Sequence, residues 1–91
     1  METPTLGQQR IRVAFNPSQD SLVDAIKAKS AELIDLVQAY KNTVVSETYD
    51  TYTSAQLQQD KGEFFRLISL AQTAYEEGAM WGVKAFTYFK P

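Results

Sequence analysis

From Phe64 to Tyr88 the chain is apolar on more than one side of a single helix. Phe64, Ile68, Ala71, Tyr75, Gly78, Gly82, Phe86 and Phe89 make one row, and Leu67, Leu70, Ala74, Trp81 and Tyr88 make another on a second face. A helix of this kind needs more than one partner to cover it. One partner is the other helix of the same chain; the second must come from another subunit. Small residues sharpen the constraint: Ala71, Ala74, Gly78, Ala79, Gly82 and Ala85 form a stripe that lets another backbone approach. Each helical Gly costs about 1 kcal/mol relative to Ala, so Gly78 and Gly82 point to a contact that offsets the loss. Tight helix packing accounts for that stripe, and room for a ligand is the alternative.

The partner helix is legible upstream. Asn16-Pro17-Ser18 is a turn and helix-start signal, since Pro suits a first helical turn and Asn or Ser accepts an orphan N–H. Leu22, Ile26, Leu33, Leu36 and Tyr40 then recur at helical spacing, with Val23, Ile34 and Val37 widening the stripe. Helix one is expected from about residue 18 to residue 41, and helix two from about 54 to 88, with Gly62 a weak point. Residues 42–53, rich in Thr and Val, read as a connection that is longer than most helix–helix loops, so part of it is a candidate for helix. Residues 1–17 read as an N-terminal arm, in which Arg10 to Val13 alternate charged and apolar side chains. The expectation is an all-α single domain over 1–91: a two-helix antiparallel hairpin with a short N-terminal arm, assembling into a homo-oligomer.

What this hairpin could do is narrowed by what it lacks. Its 91 residues contain neither His nor Cys, which removes the usual general base, thiol chemistry and the commonest zinc ligands. Neither a glycine-rich phosphate loop nor a Ser–His arrangement is present, and Glu76-Glu77 point about 100° apart on a helix. Those carboxylates, like Asp20 with Asp24, read as solvated surface groups. The expectation is no enzyme, no cofactor and no metal. With 9 Lys plus Arg against 11 Asp plus Glu, the net charge of −2 argues against a duplex nucleic-acid partner. No apolar run reaches the roughly 18 residues of a membrane span, and residues 1–10 lack the apolar core of a signal peptide. The expected location is therefore the cytoplasm, with no membrane partner.

The cations are distributed unevenly. Arg10, Arg12, Lys27 and Lys29 lie within twenty residues, beside Phe15 and Asn16. An aromatic ring, an amide and cations around a helix start suit a phosphate-bearing base. The competing reading makes Phe15 a hydrophobic staple over helix one and leaves the Arg side chains solvated. Arg66, Ser69 and Thr73 share one face of helix two and form a second polar patch, suited to an anion at a subunit contact or simply facing solvent. Lys84 after Trp81 raises the same question, its stem free to lie along the ring.

In RIRVAFNPSQDSLVDAIKAKSAELIDLV and RLISLAQTAYEEGAMWGVKAFT the sequence resembles the helical-hairpin family of phage immune-evasion sponges. The likeness is to anti-CBASS sponges that sequester cyclic oligonucleotide signals, with a related hairpin in the anti-Thoeris sponge. It covers residues 10–37 and 66–87. The resemblance implies a hexamer acting in the cytoplasm of the infected bacterial host. It also implies binding of cyclic dinucleotides such as cyclic GMP-AMP, and of cyclic trinucleotides at a separate site near a threefold contact, without degradation of either. By the same resemblance Lys27 serves the dinucleotide pocket, with Phe15 as its aromatic. Phe15 lacks the hydroxyl of the Tyr that some relatives carry. Arg10, Arg12 and Asn16 join that pocket as phosphate or base-edge contacts, and Arg66 and Thr73, with Ser69 beside them, are assigned to the second site. A purely structural or adaptor oligomer with no small ligand is the alternative; it leaves the Arg10-to-Lys29 cluster without a task.

Overall fold

The computed structural model describes residues 3–48 and 54–89, with side chains over 3–45 and 60–89. Helices α1 (Leu6–Ile11), α2 (Ser21–Thr48) and α3 (Ser54–Phe86) account for most of them, and no strand occurs among the described residues.

Helix α1 corrects the expectation of a loose arm. Thr5 and Gln8 form a capping box: Thr5 Oγ1 accepts from the Gln8 N–H at 3.1 Å, and Gln8 Oε1 accepts from the Thr5 N–H at 3.0 Å. The helix ends where Arg12 enters the left-handed region at φ 57°, ψ 54°. The Val13 N–H then reaches Gln8 O and the Arg12 N–H reaches Gln9 O, satisfying the last carbonyls. The alternating Arg10–Val13 pattern is thus a helix end and its reversal, not extended chain. Buried Gly7 lets α1 lie directly on α2. A Cβ there would fall inside the van der Waals radius of the Ala31 carbonyl, and the Gly7 N–H donates to Asp35 Oδ1 at 2.7 Å.

Helix α2 starts behind Asp20, whose Oδ1 accepts from the Leu22 N–H at 2.8 Å. It runs to Thr48, seven residues past the expected end at residue 41. The β-branched residues there stay helical with local help: Thr43 Oγ1 donates to the Ala39 carbonyl at 3.1 Å, and Gln38 donates to Asn42 at 3.3 Å. Of the expected connection, residues 49–53 lie outside the described residues, as do residues 1–2 of the arm.

Helices α2 and α3 pack antiparallel. Ile26 lies at Gly82, the Ile34 carbonyl accepts from Gln72 Nε2 at 3.3 Å, and the Tyr40 and Phe64 rings meet edge-on at 6.1 Å. The buried row of α2 is Val23, Lys27, Ser30, Ala31 and Ile34, the last with 0% exposure. Leu22, Leu33 and Leu36, which recur at helical spacing in the sequence, are exposed instead, and Tyr40 stays largely exposed beside Phe64. On α3 the core positions are Ile68, Gln72 and Ala79. Leu67, Leu70, Trp81 and Tyr88 are exposed, as their separate row requires.

The result is a long, thin molecule. Its Cα atoms extend over 58 × 29 × 12 Å with a radius of gyration of 16.7 Å, against about 12 Å for a globular chain of this length. A body of that shape has little interior and leaves two apolar stripes, one on each long helix, uncovered.

Candidate functional site

The short reversal between α1 and α2 builds the site. Lys27, one turn into the buried row of α2 and only 8% exposed, points its ammonium back under that reversal. Its Nζ donates to the Arg12 carbonyl at 3.3 Å and to the Phe15 carbonyl. The lysine therefore clamps both ends of the Arg12–Phe15 segment, which also closes on itself through the Phe15 N–H to Arg12 O at 2.9 Å. Burial lowers the Lys27 pKa below its ordinary value, the nearby Arg12 charge lowers it further, and Asp24 acts in the opposite sense.

The Phe15 ring stands outside this clamp, 51% exposed, with cations around it. The Arg12 guanidinium lies 4.3 Å from the ring centroid and Lys27 Nζ 5.4 Å from it. The ring is not a staple buried over α2; it is an accessible face. Asn16 takes a different role. Its Nδ2 donates to Asp20 O at 2.9 Å and Asp24 Oδ1 at 2.8 Å, while its Oδ1 accepts from Ser18 Oγ at 2.7 Å and the Gln19 N–H at 3.0 Å. Asn16 thus orders the loop into α2 and spends its polar atoms there.

Across from this segment lies α3, and between them runs a groove of about 620 Å³, within the range of small-molecule sites. Arg10, Arg12, Phe15 and Lys27 line one wall; Thr73, Glu76, Glu77 and Lys84 line the other, with Ile11, Ala79, Met80 and Val83 as the apolar floor. Four cations against two carboxylates give the lining a net charge of +2, in a chain whose total is −2. Arg10 Nη2 is bonded to Glu76 Oε2 at 2.7 Å and lies 3.4 Å from Thr73 Oγ1. A smaller hollow of about 450 Å³ continues along Phe15, Asn16, Lys27, Val83 and Thr87.

The structure therefore brings together four of the residues singled out for the first pocket, with Asn16 adjacent. It places Thr73 in the same groove rather than apart from it. Arg66 and Ser69 are exposed on α3 and line neither hollow. Arg66 makes a two-point fork with Glu63, at 3.1 and 2.8 Å, and the pair favours the charged form of both: Glu63 shifts down and Arg66 up, chiefly through the hydrogen bond. Sequence reasoning, which reads Glu76 and Glu77 as solvated surface, does not find their place in the groove or the contribution of Met80 and Val83. Their helical register relative to Ala79, which is buried against α1 and α2, was the available signal.

Residues 6–87 match the family described as Acb2/Tad1, hairpin domain. No curated protein and no solved structure matches the chain. With nearly its whole length matched and the hairpin built as above, the chain belongs to the Acb2/Tad1 hairpin family of anti-CBASS and anti-Thoeris sponges.

Proposed function

We propose that this chain binds and sequesters cyclic dinucleotides such as cyclic GMP-AMP in the groove between the α1–α2 reversal and α3, without degrading them. Family membership supports a cyclic-oligonucleotide sponge. The observation that carries the finer reading is the exposed Phe15 ring flanked by Arg12 and Lys27 in a groove of net charge +2. A cyclic dinucleotide brings two phosphodiester charges and two stackable bases, so charge and aromatic face both correspond. No described helix is long and apolar enough to cross a membrane. Acting in the cytoplasm of an infected bacterium, the protein would withhold the signal from a CBASS-type effector.

The assembly we infer is a homo-oligomer, a hexamer by analogy with the family. The uncovered stripes of α2 and α3 support association, and a twofold contact would present matched grooves to a symmetric ligand. Arg66 and Ser69, with Thr73 at the border of that face and the groove, remain the proposed contacts for a cyclic trinucleotide where subunits meet.

Isothermal titration of the purified protein with cyclic GMP-AMP tests the reading. We expect binding at micromolar protein or tighter, and Phe15→Ala weakening it by about 1–3 kcal/mol for the lost base stacking. Absence of heat with cyclic dinucleotides and trinucleotides alike leaves a structural oligomer as the function.

A further inference from the structure

Two carboxylates in a groove suited to phosphodiesters need a reason, because each opposes an approaching anion. Glu76 is the better placed of the two. Arg10 Nη2 holds its Oε2 at 2.7 Å and also lies 3.4 Å from Thr73 Oγ1, and the Glu76 side chain is 41% exposed. Its Oε1 makes no hydrogen bond to a described residue. Glu77, on the adjacent position, is exposed and has no comparable anchor. A carboxylate fixed in this way, in the lining of a groove that also has an aromatic platform at Phe15, is an acceptor-only fork.

Resting on the reading that the groove takes a cyclic dinucleotide, we propose that Glu76, positioned by Arg10, selects guanine over adenine in the bound ligand. The chemistry is one of matched donors. The Watson–Crick edge of guanine presents N1–H and the N2 amino group side by side, two donors for two carboxylate oxygens. Adenine presents one amino donor beside the N1 lone pair, which a carboxylate repels. Arg10 then acts as a positioning residue for Glu76, leaving Arg12, Lys27 and Lys84 to the phosphates. Holding the fork rigid is what makes the discrimination large, since a mobile side chain would spend its energy on ordering.

The test is titration of the full chain and of Glu76→Gln with cyclic di-GMP, cyclic GMP-AMP and cyclic di-AMP. The native protein is expected to prefer cyclic di-GMP over cyclic di-AMP by about tenfold or more, the discrimination typical of one bidentate base contact. Glutamine offers one acceptor and one donor and pairs with adenine, so the variant should bring the two within about threefold or reverse them. Circular dichroism and subunit count of the variant establish that it is folded. Equal affinity of the native protein for the two ligands overturns the assignment, as does a variant that keeps the native ratio. Failure of all three ligands to bind the native protein removes the reading of the groove as a cyclic-dinucleotide site, a result distinct from binding without preference.

Discussion

Arg12 joins backbone geometry to ligand chemistry at a single position. A non-glycine residue in the left-handed region costs roughly 1–2 kcal/mol, and Arg12 sits there at φ 57° with its guanidinium over Phe15. Glycine would terminate α1 more easily but would remove the nearer of the two cations beside the ring, so the strain belongs with the site. Lys27 works from beneath, through its bonds to the Arg12 and Phe15 carbonyls. Because its folded pKa lies below the ordinary lysine value, the folded chain gives up this proton before the unfolded chain does. Below that folded pKa both states carry the charge and the desolvation penalty is present in full. As pH rises from there toward the ordinary value of 10.5, folding gains stability while the groove loses a positive charge. Stability and cyclic-dinucleotide affinity should therefore move in opposite directions across that window. Lys27→Gln, melted and titrated in parallel, should remove this component of both slopes; identical slopes in the two proteins would show that Lys27 does not titrate as described.

At the scale of the elements, the assembly of the site depends on α1 touching α2 backbone to backbone. Gly7→Ala should lower stability by about 1–3 kcal/mol, because the added methyl meets the rigid Ala31 carbonyl. Thermal melting checks it. A matching substitution at Gly82 meets only the flexible end of Ile26 and should cost less. The two long helices were legible in the sequence because their apolar periodicity runs for many turns. Helix α1 was not, although its Thr5–Gln8 spacing carries a capping-box signature, because Pro4 and Gly7 read as loop residues and six residues give no period. The far end of α2 was hidden by its β-branched composition. There Lys41 of α2 lies 4.9 Å from the Phe65 ring of α3, a contact between helices that local propensity cannot announce. The exposure of Leu22, Leu33, Leu36 and Tyr40 was also hidden: two apolar stripes on one helix look alike until a neighbour selects one. In the site, the Phe15, Arg12 and Lys27 cluster was readable from local sequence. Glu76 was not, since its partner Arg10 is 66 residues away.

For the whole molecule, the shape states the case. A 58 Å hairpin that buries little and exposes Trp81 at 62% has more apolar surface than one chain can cover. Gly78 adds to this, for a Cβ there meets nothing within 4 Å, so the chain itself gives no reason for a glycine in mid-helix. A second copy lying along Leu67, Leu70, Gly78 and Trp81 would supply one. The absence of His and Cys from the sequence fits the proposal of a protein that holds its ligand unchanged. Native mass spectrometry of the purified protein with an equimolar panel of cyclic dinucleotides is the decisive measurement of an oligomeric sponge, since it reads subunit count, stoichiometry and ligand mass together. An oligomer carrying cyclic dinucleotide of unaltered mass is expected, with Leu70→Glu shifting the population toward smaller species. A monomer, or an oligomer that carries no ligand or only a hydrolysed one, would contradict the proposed sponge.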